Sequence, residues 1–109
     1  MRQNYRQGRG LVMEWNVLLS KYEGSRITVW IEDLSGEEQT QPKPFTLFKT
    51  ALTDNHAYLQ FYFNAGQFLS VPLFDDPLTK LERGQAGDCF VSHDLQANLR
   101  YHIYFEERV

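Results

Sequence analysis

Cysteine and long apolar runs are what this sequence has least of. Its single cysteine, Cys89, cannot form a disulfide within the chain, which fits a reducing compartment. No segment approaches the roughly 18 apolar residues of a membrane-spanning helix. The first arginines precede no apolar segment of the kind found in a secretory signal. We therefore expect a cytoplasmic protein without membrane contact.

Motifs of known enzyme classes and internal repeats are also missing. The sequence contains no phosphate-binding loop, no G-x-S-x-G nucleophile motif and no H-E-x-x-H zinc motif. Adjacent carboxylates occur at Glu37-Glu38, Asp75-Asp76 and Glu106-Glu107, but neighbours on a strand point to opposite faces. These pairs are poorly placed for general acid-base catalysis, so neither an enzymatic activity nor a cofactor is predicted.

Positive charge is scarce outside the N-terminus. The formal net charge is −3, but Arg2, Arg6 and Arg9 place +3 in the first ten residues, which leaves eight basic and fourteen acidic residues, a net of −6. The acidic balance of the residues after the first ten disfavours generic nucleic-acid binding, which depends on clustered lysine and arginine. Residues 1–10 are predicted to be a flexible basic tail, which either contacts RNA or an acidic partner or is simply solvated.

Aromatic residues are abundant, and they centre on a predicted β-hairpin. Eight Phe, six Tyr and two Trp among 109 residues are enough large side chains to fill one core. Residues 56–63 and 67–74 are predicted to be its two strands, joined by a turn that contains Gly66. Because Pro72 cannot donate to a ladder, the second strand should lie at a sheet edge or end at a bulge. Alternation in the first strand turns one set inward and one set outward: Ala57, Leu59, Phe61 and Phe63, against Tyr58, Gln60 and Tyr62.

An amphipathic helix is predicted before the first strand. Residues 11–22 carry apolar side chains at helical spacing, and Gly24 follows as a left-handed stop. Residues 25–33 then alternate as a half-buried strand with Trp30 on its polar side. The apolar face of the helix consists of Leu11, Trp15, Leu18, Leu19 and Tyr22.

Later segments complete a mainly β fold. Residues 37–44 are polar with two prolines, which indicates a loop or a frayed strand edge. Residues 45–53 are predicted as one strand, 78–82 as a short strand or helical turn, and 88–93 with 99–106 as a final hairpin. We expect roughly five to seven strands in a small barrel or strongly bent antiparallel sheet, capped by the helix, with residues 11–109 as one domain.

The order of elements over residues 11–82 resembles the Sm-like barrel of the bacterial Hfq type. The similar features are the helix, the strand at residues 27–33, turns at Gly36 and Gly66, and Asp54-Asn55 before an alternating apolar strand. The resemblance implies a small SH3-like or Sm-like barrel that faces RNA with Asp54 and Asn55. The hairpin at residues 88–106 would be an addition to that family. A fainter similarity is to YojF-type bacterial proteins, which share a helix, a barrel and a terminal hairpin.

Cys89, His93 and His102 are candidates for a metal site or a catalytic nucleophile. Cys89 and His93 are four apart on a strand and so share a face, and His102 lies in the partner strand. Zinc would need a fourth ligand such as Asp88 or Asp94, and the spacing matches no standard zinc pattern. The alternative interpretation is a cysteine that packs as a small apolar residue, with histidines at the surface. We favour this alternative and predict no resident metal.

Four aromatic side chains fall on outward strand faces, namely Trp30, Tyr58, Tyr62 and Tyr104. If their strands are neighbours, they form an exposed patch of the kind that marks interfaces, and otherwise they line a second buried face. The main hypothesis is a non-catalytic protein-interaction module that forms homo-oligomers through these faces or through the Pro72 edge. The alternatives are an Sm-like binder of single-stranded nucleic acid, with tyrosines stacked on bases, and a small metal-binding protein or enzyme centred on Cys89, His93 and His102.

Overall fold

The computed structural model describes residues 14–36 and 38–106. A single turn of helix, α1 (Trp15–Leu18), runs directly into a 3₁₀ helix (Leu19–Tyr22). Nine strands follow within the described ranges: β1 (Arg26–Asp33), β2 (Glu38–Gln39), β3 (Lys43–Thr46), β4 (Lys49–Leu52), β5 (Tyr58–Tyr62), β6 (Phe68–Pro72), β7 (Thr79–Glu82), β8 (Gly87–Asp94) and β9 (Leu99–Glu106). The prediction of a mainly β fold with an N-terminal helix is therefore confirmed, with more strands than expected.

The strands form two antiparallel sheets rather than one closed barrel. The larger sheet has the order β2-β1-β9-β8-β7, and β3 lies beside β2 along the same side of β1. The smaller sheet has the order β4-β5-β6. The predicted C-terminal hairpin is present as β8 and β9, but it is central rather than added at one end, because β9 pairs with β1 from Ile27 to Asp33.

The described part of the predicted helix packs its apolar side onto the core. Leu19 is fully buried, the Trp15 ring meets Phe90 edge-on with centroids 5.0 Å apart, and Tyr22 stacks on Phe105 at 4.2 Å. Gly24 has a φ of 86°, as expected of a residue that ends a helix in the left-handed region. Leu11 of the predicted face lies outside the described residues.

The prediction of one strand over residues 45–53 is wrong, because the chain changes sheets in the middle of it. β3 pairs with β1, whereas β4 pairs with β5. At the crossing point, the Leu47 N–H donates to the Ser25 carbonyl at 2.9 Å and the next N–H, of Phe48, donates to the Tyr62 carbonyl at 2.8 Å. The Leu47 side chain is fully buried there. Alternation breaks at this point, because Leu47 and Thr50 are buried while the two residues between them are both exposed. The prediction of a continuous strand assumed one unbroken alternation and therefore missed the crossing.

Alternation in the two hairpins is confirmed. Leu59 and Phe61 of β5 are fully buried, while the outward-facing Tyr58 is exposed. In β9, Ile103 and Phe105 are fully buried. β6 is an edge strand, which suits Pro72 because an edge residue needs no donor on its open side.

One hydrophobic core lies between the two sheets. The smaller sheet contributes Leu59, Phe61 and Val71, and the rings of Phe61 and Phe90 meet with centroids 5.5 Å apart across the two layers. Because both sheets bury one face in this core, their other faces point away from it. The larger sheet, the helix and the crossing segment contribute Ile27, Phe90, Ile103, Phe105, Leu19 and Leu47.

A chain of buried hydroxyl groups also joins the sheets. Ser92 Oγ on β8 donates its one proton to the Pro72 carbonyl at 2.5 Å, since a carbonyl can only accept. Thr79 Oγ1 must therefore donate to Ser92 Oγ at 2.7 Å, and it accepts from the Phe74 N–H at 2.7 Å. The open edge strand β6 is thus held to β7 and β8 where its pairing ends.

Replacing Ser92 by alanine should destabilise the protein by about 1–3 kcal/mol, because the Pro72 carbonyl and the Thr79 hydroxyl would lose buried partners. Urea unfolding followed by circular dichroism measures the change. Ser70→Ala, on the half-buried strand position of β6, is the matched control and should change stability by no more than about 0.5 kcal/mol. Equal effects of the two substitutions would contradict the assigned role of Ser92.

Candidate functional site

The structure divides the four predicted interface aromatics between the two sheets. Trp30 on β1 and Tyr104 on β9 lie on the outer face of the larger sheet, opposite the buried side chains of those strands. Tyr58 and Tyr62 lie on the outer face of β5 in the smaller sheet. Their strands are not neighbours in one sheet, so these four side chains do not form one patch.

The outer face of the smaller sheet is the more aromatic and the more exposed of the two. Tyr58 and Phe68 are 44% and 46% exposed, and Phe48, just before β4, is 51% exposed. Phe68 lies opposite Tyr62 in the pairing of β5 with β6, and Lys49 lies opposite Tyr62 in the pairing with β4. We call Lys49, Tyr58, Tyr62 and Phe68 the aromatic face.

Contacts within the protein hold the centre of the aromatic face in place. The Tyr62 and Phe68 rings meet with centroids 4.8 Å apart at an angle of 38°. The Lys49 ammonium lies 4.8 Å from the Tyr62 centroid, and Tyr62 Oη donates to Gln60 Oε1 at 3.3 Å. Because these side chains are already ordered, a partner would pay little conformational entropy to bind them.

Charge separates the two outer faces. β4, β5 and β6 contain no acidic residue, and Lys49 is their one charged side chain. The outer face of the larger sheet instead carries carboxylates and cations in paired positions, for example Glu32 with Arg100 and Arg26 with Glu106. An approaching surface therefore meets uncharged aromatic rings on one side of the molecule and internally paired charges on the other.

A cluster of side chains around His102 occupies the centre of the larger sheet's outer face. The ring of His102 lies flat on Trp30, with centroids 4.7 Å apart and 6° between the planes. His102 Nε2 donates to Glu32 Oε1 at 2.6 Å, and Arg100 Nη1 approaches the same oxygen at 3.5 Å. The hydrogen bond from His102 lowers the pKa of Glu32 below its ordinary value, against the opposing effect of burial. These contacts occupy one face of the Trp30 ring and the Nε2 atom of His102.

Substituting Glu32 by glutamine should lower stability in a pH-dependent way. A carboxyl group whose pKa is lowered by folding stabilises the protein above its unfolded pKa, and that stabilisation disappears as the pH falls through the folded pKa. Glu32→Gln should therefore be less stable than the wild type at about pH 7, with the difference shrinking toward about pH 3.

Urea midpoints of both proteins across that range measure the difference, and Glu38→Gln, on the exposed strand β2, is the control. A difference between Glu32→Gln and the wild type that stays constant with pH would contradict the role of the charge.

Tyr104, the other predicted aromatic of the larger sheet, has a structural role. Its hydroxyl donates to the Ala86 carbonyl at 2.8 Å, so the ring lies across the start of β8. A Cβ at Gly87 would be 2.9 Å from the Tyr104 hydroxyl and 2.4 Å from the Phe105 carbonyl oxygen. The close approach of Tyr104 thus requires glycine at position 87, and it commits the tyrosine to packing.

Cys89, His93 and His102 share the outer face of the β8–β9 pair, as their spacing predicted. Cys89 lies opposite Tyr104 and His93 opposite Arg100, with His102 opposite Val91 between them. Within residues 14–36 and 38–106, however, no group of three or more His, Cys, Asp or Glu side chains is placed to hold a metal ion. The Nε2 atom of His93 is buried without a hydrogen-bond partner, and nothing in its surroundings explains this.

Cys89 is poorly suited to nucleophilic catalysis. Burial, reinforced by the negative charge of Glu82, raises the pKa of its thiol to about 11. The nucleophile in cysteine chemistry is the thiolate, so at neutral pH the group is present almost entirely in its unreactive form. Its sulfur lies 3.9 Å from the Phe90 carbonyl oxygen. The interpretation of Cys89 as a packing residue agrees with this environment.

The rate of alkylation of Cys89 by iodoacetamide should follow this raised pKa. We expect slow reaction at about pH 8, a continuing rise above about pH 9, and a midpoint near 11, whereas the urea-unfolded chain should show the ordinary value near about 8.5. Glu82→Gln removes the adjacent charge and should lower the midpoint in the folded protein. A folded-state midpoint equal to the unfolded one would contradict this description.

The predicted nucleic-acid residues fall into two groups. Arg2, Arg6 and Arg9 lie outside the described residues. Asn55 shapes the turn before β5, because its Oδ1 atom accepts from the Ala57 N–H and from the Thr53 hydroxyl, both at 2.9 Å. Asp54 beside it is exposed.

Phe68 and Lys49 belong to the aromatic face but were not among the residues predicted to form it. The signal for Phe68 was present, because a strand that turns Leu69 and Val71 inward turns Phe68 outward. Lys49 was not identifiable, because its position depends on where the chain changes from β3 to β4. Equally unforeseen is the contact of Tyr22 with Asp88, which are 66 positions apart.

Similarity to known proteins gives no further guide to this surface. Comparisons with models of protein families, with curated proteins and with solved structures find no match. Among the described residues, no helix is both long and apolar enough to cross a membrane. The resemblance to Sm-like proteins therefore stays a prediction.

Proposed function

We propose that this protein is a non-catalytic protein-interaction module that forms homo-oligomers through the aromatic face. The observation that carries the proposal is the exposure of Tyr58 and Phe68 on a sheet face without a single acidic residue. Exposed aromatic clusters of this kind are typical of interfaces, where tyrosine and phenylalanine supply large contact areas at low entropic cost. The single cysteine suits such a module in a reducing compartment such as the cytoplasm.

The distribution of charge favours the aromatic face as the surface on which a second copy of the chain binds. The chain carries a net charge of −3, so two copies repel each other over most of their surfaces. The aromatic face is where two acidic copies approach without opposing carboxylates, because β4, β5 and β6 hold none. The Lys49 ammonium of one copy also offers a cation to the aromatic rings of the other.

The size of the face sets the expected strength of the association. Three strands of four or five residues cover roughly 17 Å by 14 Å, which is about 240 Å² in projection. A standard interface buries about 800 Å² on each partner, so the aromatic face is well below that size. We therefore expect weak, concentration-dependent association rather than a permanent dimer.

Phe68→Glu should weaken this association, because it replaces an exposed ring by a carboxylate that faces its own symmetry mate. Sedimentation velocity over roughly a hundredfold range of concentration measures the shift from monomer to oligomer. Leu95→Glu is the matched control, since Leu95 is 62% exposed in the turn between β8 and β9 of the larger sheet.

We expect Leu95→Glu to associate like the wild type and Phe68→Glu to weaken association at least about tenfold with an unchanged melting temperature. A wild-type protein that stays strictly monomeric, or equal losses in both variants, would overturn the proposal.

Single-stranded nucleic acid is the second candidate ligand for the aromatic face. Lys49 stands over the Tyr62 ring beside Phe68, and a cation among exposed rings is the arrangement on which bases stack. The resemblance to Sm-like proteins points the same way, whereas the acidic balance outside the basic tail weighs against it. A filter-binding assay with mixed RNA at low salt, compared between the wild type and Phe68→Glu, separates the two: retention lost in the variant supports this alternative, and no retention removes it.

A further inference from the structure

A cavity of about 300 Å³ lies where the 3₁₀ helix meets one end of the larger sheet. Its wall is formed by Lys21 and Tyr22 from the helix, by Gly84 and Asp88 from the segment that enters β8, and by the end of β9. Since liquid water takes about 30 Å³ per molecule, this volume holds roughly ten non-hydrogen atoms. The cavity is therefore suited to a small metabolite.

The apolar part of the wall is rigid. The Tyr22 ring is stacked on the fully buried Phe105 ring, with 12° between the two planes. The segment before β8 carries no side chain at Gly84, because a Cβ there would be 2.6 Å from the Gly87 carbonyl oxygen. Glycine is thus required where the segment turns into β8, and no side chain at that position can fill the space.

The polar part of the wall centres on an ordered carboxylate. Asp88 Oδ2 accepts the hydroxyl proton of Tyr22 and lies 3.2 Å from Arg83 Nη1. The hydrogen bond from Tyr22 lowers the pKa of Asp88, with smaller contributions from Arg83 and Lys21. Burial, followed by the bond to Asp88, raises the pKa of Tyr22 to about 12. The site therefore presents an anionic carboxylate next to a neutral phenol at neutral pH.

Residues of both charge signs line this cavity, with Lys21 on the helix and Asp88 on β8. The ammonium of Lys21 lies 5.2 Å from the Tyr22 ring centroid on the helix side. The carboxylate of Asp88 lies on the strand side and pairs with Arg83 in place of Lys21. Glu106 reaches the wall at the end of β9, but its carboxylate pairs with Arg26 on the outer face of the sheet. Lys21 is thus near Asp88, but the ion-pair partner of Asp88 is Arg83.

We infer that this cavity binds a small zwitterion, namely a free amino acid with an apolar side chain. Its carboxylate would meet the ammonium of Lys21, and its ammonium group would meet the carboxylate of Asp88. Its apolar side chain would lie against the Tyr22 ring, which stacks on the fully buried Phe105 ring. A ligand with one charge alone would leave either Lys21 or Asp88 without a complement in the ligand, so both charges are needed.

Titration of ¹⁵N-labelled protein with L-phenylalanine, followed by NMR, tests the inference directly. The expected result is saturable shifts of the amide signals of Tyr22, Gly84 and Asp88. N-acetyl-L-phenylalanine lacks the ammonium group and L-phenylalaninamide lacks the carboxylate, so each should bind at least about tenfold more weakly. Absence of binding by L-phenylalanine, or binding of either capped compound as tightly as L-phenylalanine, would overturn the inference.

Two independent variants test whether L-phenylalanine binds in this cavity, so the test remains possible if one of them fails to fold. Lys21→Met removes a charge from an exposed position and should weaken binding of L-phenylalanine at least about fivefold, and Asp88→Asn should do the same. Lys80→Met, the same substitution on β7 outside the cavity, should leave binding unchanged. Equal effects of Lys21→Met and Lys80→Met would contradict the assignment. Repeating the titration with Phe68→Glu separates this site from the proposed self-association.

Discussion

The fold depends on one contact, between the buried faces of two separate antiparallel sheets. Phe61 and Phe90 meet across these layers, and the hydroxyl groups of Thr79 and Ser92 tie the carbonyl group of Pro72 to the larger sheet. Each sheet has one apolar face, and the other sheet removes that face from water. The same contact determines which side chains remain outside.

The two outer faces differ because their polar groups are satisfied in different ways. On the larger sheet, Glu32 accepts from His102 and Arg100, and the Trp30 ring is covered by the imidazole. On the smaller sheet, the exposed rings have no comparable cover and no acidic neighbour. Surface aromatic groups that are uncovered and uncharged favour association, whereas paired charges resist desolvation. This contrast is the physical basis for placing the interaction surface on the smaller sheet.

Local pattern predicted the elements better than it predicted their arrangement. Alternation identified both hairpins and turned Phe61 and Ile103 inward, and the helical spacing placed Leu19 on the core side. It failed at residues 45–53, because Leu47 looks the same in a continuous strand and at a crossing between sheets. For the candidate site, alternation identified Tyr58 and Tyr62 as outward-facing, but it grouped them with aromatics of a different sheet.

The sequence by itself determined which side of each strand is apolar, because side chains alternate with a period of two that depends only on neighbouring residues. Only the tertiary structure decided which strands pair, and hence that Trp30 covers His102 and that Tyr22 reaches Asp88. Pairing joins residues about seventy positions apart through hydrogen bonds between backbone groups that every residue carries, so it leaves little trace in local composition. The aromatic face and the cavity are both products of that long-range pairing.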